Sequence, residues 1–157
     1  MPTDASLLAR LDAMGLSLPA PANPVGEFIL WRREGSMIFL AGQICEKAGK
    51  PWPTGVYGTD VSLGDARHGA QLIGLQLLRT LRDALDGDLG RVRQVVTVRG
   101  FVTAAPGMGD YPAVINACSE LFIALWGDAG RHARTSVGVA QLPLNATVEI
   151  DAAFAVD

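Results

Sequence analysis

The stretch from Gly130 to Asp151, GRHARTSVGVAQLPLNATVEID, constrains the fold of this chain more than any other. Residues with a high strand propensity lie on both sides of a segment that contains proline and asparagine. This pattern predicts two short strands and a turn. Arg134 and Glu149 are the two charges inside the pattern. A hairpin centred near Gln141–Leu142 would bring them to neighbouring positions, whereas a longer loop would shift the register.

The guanidinium of Arg134 sets a second constraint on this stretch. A positive charge in a mostly buried strand needs an acceptor, because an unpaired buried charge is costly. Glu149 supplies that acceptor in one interpretation, as a structural ion pair that holds a hairpin or a subunit interface. A ligand supplies it in the other. The residues alone leave both interpretations open.

The composition is that of one compact domain. The chain has 157 residues, of which 49% are hydrophobic and 18% are charged. Its net charge of −3 gives no electrostatic reason to expect nucleic acid as a partner. Cys45 and Cys118 lie far apart, which favours two buried thiols in a reducing cytoplasm over a disulfide. We predict a cytoplasmic protein, because no signal-peptide pattern and no apolar run of about 18 residues occurs.

The chain divides into an N-terminal segment, residues 1–23, and a main domain, residues 24–157. Thr3 or Asp4 can cap a short helix from about Ala5 to Met14. Three prolines between residues 18 and 24 exclude regular structure there and predict a linker or a strap over the surface.

The main domain alternates strands with two long helices. Strands are predicted at 27–32, 36–41 and 92–103 and a loop at 46–59. One long helix is predicted to begin with Ser62 as its cap and to end at Asp86-Gly87-Asp88, and a second to run from Tyr111 to Trp126. Two long helices can cover one face of a single mixed sheet. The predicted fold class is therefore α+β, with two layers.

Two motifs carry a family resemblance. The C-terminal motif A-R-S-x-V-x-V-x-x-L-P-x-x-A-x-V-E-I is matched by Ala133, Arg134, Val137, Val139, Leu142, Pro143, Ala146, Val148, Glu149 and Ile150. Ala41-Gly42-Gln43 matches an S-G-Q motif, with alanine in place of serine. Over about residues 24–156 the chain resembles the reactive intermediate deaminase A family, the YjgF-type proteins. The resemblance implies a chorismate-mutase-like fold and a homotrimer with clefts between subunits.

The resemblance also implies a reaction and its residues. Arg134 would hold the carboxylate of a 2-imino or 2-enamino acid, and Glu149 would position water or transfer protons. The products would be a 2-keto acid and ammonia, without a metal or an organic cofactor. Asn116 would belong to the pocket wall, or alternatively tie its helix to the neighbouring loop. His132 would flank the pocket or lie in an exposed turn.

Two positions depart from the family pattern. Phe28 aligns where active members usually carry a tyrosine, and Ser136 aligns where some members have a cysteine. Both remain candidate substrate-binding residues. Because Phe28 lacks a hydroxyl, a non-catalytic trimer that binds small carboxylates or a protein partner is the alternative function. Endoribonuclease activity is a weaker alternative, because it predicts a basic cleft.

Overall fold

The computed structural model describes residues 1–157, and one mixed sheet with helices on a single side forms its centre. None of its helices combines the length and the apolar content that a membrane crossing requires. The elements in chain order are α1 (Asp4–Ala13), β1 (Trp31–Glu34), β2 (Met37–Ile44), β3 (Glu46–Lys47), β4 (Lys50–Pro51), α2 (Leu63–Ala84), β5 (Val92–Thr103), α3 (Tyr111–Trp126), β6 (Ala133–Val139) and β7 (Val148–Val156).

The main sheet has five strands in the order β1-β2-β7-β5-β6. Neighbouring strands are antiparallel except β5 and β6, which are parallel. Strands β3 and β4 form a separate small hairpin. The prediction of a single mixed sheet in the main body of the domain is confirmed.

Helices α2 and α3 pack on one face of this sheet and bury the core. Their apolar stripes meet alternate side chains of the strands, and the fully buried residues include Ile73, Leu77, Leu81, Val98, Phe122 and Phe154. The two helices approach closely at Gly74, where a Cβ atom would lie 3.0 Å from Leu121 Cδ2. Cys45 and Cys118 are free and buried, as predicted. The two-layer α+β architecture is confirmed.

The predicted hairpin between β6 and β7 is wrong, because β5 lies between these strands. The segment that joins them is held by a different loop. Thr147 N donates to the Pro53 carbonyl at 3.1 Å, and Thr147 Oγ1 donates to the Gly55 carbonyl at 2.8 Å. Alternation of side chains defines a strand but not its neighbour, so the sequence pattern did not contain the pairing.

The first predicted strand begins later than the sequence indicated. Residues 25–28 are bends, and Phe28 N donates to the Gly26 carbonyl at 2.9 Å. Strand β1 therefore starts at Trp31 instead of residue 27. This local turn uses backbone groups that a strand would need for pairing, which places Phe28 outside the sheet.

Helix α1 is docked on its own chain. Leu7 and Leu11 are fully buried within the core. Asp4 accepts hydrogen bonds from Arg82 Nε at 3.1 Å, from Arg82 Nη2 at 3.0 Å and from Leu89 N at 3.1 Å. The division of the chain at residue 23 stays a prediction, but the helix itself is part of the packed body.

We expect Asp4→Asn to destabilise the fold by about 1–2 kcal/mol at neutral pH, since it weakens charge-assisted hydrogen bonds in a partly buried site. The Arg82 guanidinium holds the pKa of Asp4 below its usual 3.8. The contribution is therefore complete above pH 3.8 and is lost as the pH falls through the lowered pKa. Urea unfolding at several pH values measures this effect. The exposed Asp12→Asn variant is the control, and equal effects of both variants would contradict the prediction.

The opposite face of the sheet carries no helix. Phe39 and Val137 point out of this face and are 50% and 39% exposed. Arg99 Nε donates to Asp151 Oδ1 at 2.9 Å across β5 and β7 on the same face. We call it the open face, because no element of the chain covers it.

Candidate functional site

The structure separates the two charges of the C-terminal stretch. Arg134 lies beside Val98 of β5, and Glu149 lies beside Phe101 of the same strand. Positions three residues apart on a strand point to opposite faces. Arg134 therefore points to the helical layer and Glu149 to the open face. Two strand spacings and three residues of rise place their Cα atoms about 14 Å apart. The interpretation as an ion pair that holds a hairpin is therefore wrong.

Arg134 lies in a cleft between β6 and α3, which we call the arginine cleft. The cleft has a volume of about 220 Å³ and is lined by Asn116, Ser119, Ile123, Arg131, His132 and Arg134. The Nη1 group of Arg134 donates to Asn116 Oδ1 at 2.7 Å and to Ser119 Oγ at 3.1 Å. Both acceptors are uncharged, and no carboxylate of the chain pairs with this guanidinium.

Three features of Arg134 therefore favour an anionic ligand. Its charge is not neutralised by the chain, its side chain is partly buried, and its Nε and Nη2 groups donate no hydrogen bond. A guanidinium offers paired N–H groups that match the two oxygens of a carboxylate. The contacts through Nη1 hold the side chain and leave the other donors available.

Asn116 contacts the arginine and not a loop. Its Oδ1 accepts from Arg134 across the gap between α3 and β6, so the alternative of a tie to the neighbouring loop is wrong. The sequence did not single out Ser119. It lies three residues after Asn116, and this spacing places both side chains on one face of the helix. This three-residue spacing from Asn116 was the sequence signal that could have identified Ser119.

His132 flanks the arginine cleft and is half-buried. Its Nε2 atom lies 2.9 Å from Ser119 Oγ, and its Nδ1 atom lies 2.7 Å from the Gly130 carbonyl. The ring meets Phe122 edge-on, with centroids 6.2 Å apart. Burial lowers the pKa of His132, and the charge of Arg134 lowers it further. The expectation that His132 could flank the cleft matches this position.

Ser136 is a predicted substrate-binding residue that lies outside the arginine cleft. It points to the helical layer, two residues after Arg134, but does not line the arginine cleft. Its Oγ atom is enclosed and has no hydrogen-bond partner. Its predicted contact with substrate remains a prediction that this geometry does not favour.

Phe28 and Glu149 are both placed near Gly42 of β2, Phe28 through a groove that Gly42 also lines and Glu149 by contact with Gly42. Phe28 lines a groove of about 370 Å³, the Phe28 groove, with Pro21, Ala22, Asn23, Val25, Leu30, Gly42, Gln43, Ile44, Glu46, Gln76 and Leu144. Strand β2 carries a bulge between Leu40 and Gln43, within the predicted Ala41-Gly42-Gln43 motif. The carboxylate of Glu149 lies against Gly42, where a Cβ atom would collide with Oε1.

The carboxylate of Glu149 is half-buried and accepts no hydrogen bond from the chain. Burial raises its pKa above 4.5, and the negative charge of Asp151 raises it further. A carboxyl group with a raised pKa and free oxygens is suited to proton transfer. The chain holds no group of three or more His, Cys, Asp or Glu side chains arranged to bind a metal ion.

Three features together are typical of one protein family. They are a mixed sheet with helices on one side, an arginine that no carboxylate of the chain pairs with, and a bulged S-G-Q-like strand beside a carboxyl group. Residues 8–155 match the family described as "YjgF/chorismate_mutase-like, putative endoribonuclease". The chain belongs to this YjgF-type family.

Several relatives support this membership. Protein TCP17 of Trypanosoma cruzi is 35% identical over 92% of this chain and 90% of its own. A 2-iminobutanoate/2-iminopropanoate deaminase of Dermatophagoides farinae is 26% identical over 90% of this chain and 95% of its own.

Solved structures agree with the fold over nearly the whole chain. The crystal structure of Atu1372 from Agrobacterium tumefaciens, a protein of unknown function, has a TM-score of 0.91 at 36% identity and covers 98% of this chain and 94% of its own. A "putative endoribonuclease" from Shewanella oneidensis has a TM-score of 0.91 at 26% identity, over 96% and 99% of the two chains.

Proposed function

We propose that this protein hydrolyses 2-imino and 2-enamino acids to 2-keto acids and ammonia, in sites shared between copies of the chain. The observation that carries the proposal is the guanidinium of Arg134, which uncharged partners hold through Nη1 so that the Nε and Nη2 donors stay free. The similarity to a protein named as a 2-iminobutanoate/2-iminopropanoate deaminase supports the choice of substrate class.

The proposed site uses residues from two chains. Arg134 and Glu149 lie on opposite faces of one sheet, so a small substrate cannot touch both within one chain. The open face, with its exposed Phe39 and Val137, needs a covering partner. We propose a homotrimer in which the arginine cleft of one copy faces the Glu149 carboxylate and the Phe28 groove of the next.

Each residue then has one role in the reaction. The carboxylate of the substrate binds the Nε and Nη2 groups of Arg134, which fixes the imine carbon. Glu149 accepts a proton from water as the water oxygen bonds to that carbon. Transfer of this proton to nitrogen gives a carbinolamine. Glu149 then takes the proton of the new hydroxyl and passes it to nitrogen, so that the carbonyl forms, the carbon–nitrogen bond breaks and ammonia leaves with the 2-keto acid. A 2-enamino acid first takes a proton at carbon to become the imine.

The proposal is tested with an imine that an amino-acid oxidase generates in the presence of semicarbazide. An active protein lowers the yield of the trapped semicarbazone, because it hydrolyses the imine before the trap reacts. The alternative of a non-catalytic carboxylate binder rests on Phe28, which brings no hydroxyl to its groove. A folded protein that binds 2-keto acids without affecting the trap would favour that alternative.

We expect the rate to fall at acid pH as Glu149 takes up a proton. A general base must be ionised, and the raised pKa places this loss above pH 4.5. Asp151→Asn removes a negative charge near Glu149 and should move the loss to lower pH. Profiles of kcat/KM against pH for the wild type, Asp151→Asn and Glu149→Gln test this. An unchanged acid limb in the residual activity of Glu149→Gln would contradict it.

A further inference from the structure

A series of hydrogen bonds connects Arg134 to His132, and the reaction proposed above does not use it. The oxygen of Ser119 lies 3.1 Å from Arg134 Nη1 and 2.9 Å from His132 Nε2. The other ring nitrogen of His132 lies 2.7 Å from the Gly130 carbonyl. The arginine is thereby linked through a hydroxyl and an imidazole to the backbone at the start of β6.

The donor and the acceptor of each hydrogen bond in this series follow from the Gly130 carbonyl at its end. The Gly130 carbonyl can only accept, so Nδ1 of His132 carries the hydrogen. In the neutral ring Nε2 is then an acceptor, and the Ser119 hydroxyl must donate to it. The lone pairs of Ser119 Oγ remain for the N–H group of Arg134. Burial supports this neutral form, because it lowers the pKa of His132.

The surroundings of His132 contain no competing acid. The neighbouring charged groups are Arg134 on β6 and Arg131, which lines the same cleft and pairs with Asp128 at 3.5 Å. Phe122 meets the ring edge-on from α3. The acceptor of the Ser119 hydrogen is therefore the imidazole, with no carboxylate in contact.

We propose that His132 is a positioning residue that orients Arg134 through the Ser119 hydroxyl. By accepting the hydrogen of Ser119, the imidazole keeps the hydroxyl oxygen directed at Nη1, and the free Nε and Nη2 groups stay aimed at the ligand. Without that acceptor the Ser119 hydrogen is free to turn toward the guanidinium, which then rotates. The inference rests on the proposed function only in taking the ligand of Arg134 to be a carboxylate.

Two substitutions at His132 separate the hydrogen bond from the packing. His132→Gln retains a side-chain oxygen that can accept from Ser119. His132→Phe keeps a ring against Phe122 but offers no acceptor. The first readout is the rotation of the Arg134 guanidinium, followed by ¹⁵N NMR of its Nη groups. We expect slow rotation in the wild type and in His132→Gln, and fast rotation in His132→Phe.

The second readout is the dissociation constant for 2-oxobutanoate, a 2-keto acid of the kind that the proposed reaction releases. We expect His132→Phe to bind it about three- to tenfold more weakly, the effect of one neutral hydrogen bond, while His132→Gln stays near the wild type. Since the chain has two histidines, the ring nitrogens of His132 can be observed alone in His68→Gln. A hydrogen on Nε2 in the neutral ring would overturn the proposal.

The other possible results also support or overturn the positioning role of His132. Equal rotation and equal affinity in His132→Phe and the wild type would overturn the proposal, as would a His132→Gln variant as impaired as His132→Phe. If His132→Phe does not fold, Ser119→Ala breaks the same link and should free the guanidinium. Restricted rotation that depends on His132, in a protein with no imine hydrolysis, would leave the positioning role standing and reject the deaminase function.

Discussion

Arg134→Ala is expected to lower kcat/KM for imine hydrolysis by a factor of about 10² to 10⁴. Two charge-assisted hydrogen bonds to the substrate carboxylate are lost, each worth roughly 1.5–3 kcal/mol, and the loss of orientation acts in the same direction. The fold should tolerate the change, because Arg134 contacts only the uncharged Asn116 and Ser119 at the wall of an open cleft. Competition with semicarbazide measures the rate, and thermal unfolding measures the stability.

Two further variants make the result specific to the guanidinium. Arg134→Lys keeps the charge without the paired N–H groups, so an intermediate loss is expected. Arg79→Ala removes a guanidinium that pairs with Asp83 on the surface of α2, and its activity should be that of the wild type. Wild-type activity in a folded Arg134→Ala variant would contradict the role proposed for this residue.

Mixing two impaired variants is expected to raise activity above that of either variant alone. In a homotrimer of Arg134→Ala and Glu149→Gln chains, some sites combine the intact Arg134 of one copy with the intact Glu149 of the next. Random assembly in equal amounts makes about a quarter of all sites complete, and a mixed trimer purified away from the homotrimers has one complete site of its three. Co-expression of differently tagged chains, followed by purification of the mixed assembly, gives the material, and each variant alone gives the baseline.

The control for this experiment is a mixture of Arg134→Ala with the double variant Arg134→Ala/Glu149→Gln, which contains no intact arginine. It should remain at the baseline. Absence of restoration in a well-formed mixed assembly would show that the two residues do not share a site. Because Arg134 and Glu149 lie on opposite faces of the sheet, this mixing experiment is the most direct test of a shared site.

The sequence predicted the elements of the fold better than their arrangement. Apolar spacing defined α2 and α3, and valine-rich alternation defined β5, because these patterns record which side chains are buried. The order of the strands was not predictable in this way, since β6 and β7 carry the same kind of alternation whether they pair with each other or with β5. The bonds from Thr147 to the loop at Pro53 and Gly55 are long-range contacts that no local pattern contains.

The candidate site was predictable to a similar extent. The resemblance singled out Arg134, Asn116, Glu149 and Phe28. The structure brings Arg134 to Asn116, and it places Glu149 against Gly42, which lines the groove of Phe28. It could not show that Arg134 and Glu149 point to opposite faces, because facing depends on strand register. The sequence did not single out Ser119, because serine is common on helices. Its role depends on the hydrogen bond that it accepts from Arg134 on β6.

The placement of Arg134 and Glu149 on opposite faces would make the proposed activity depend on the concentration of the protein. A lone chain of this fold holds each half of the proposed site but never a whole one. Dilution below the dissociation constant of the assembly should therefore reduce the turnover per chain, although every chain remains folded. The law of mass action would then set how much of the protein works at a given concentration, with no need for a separate inhibitor.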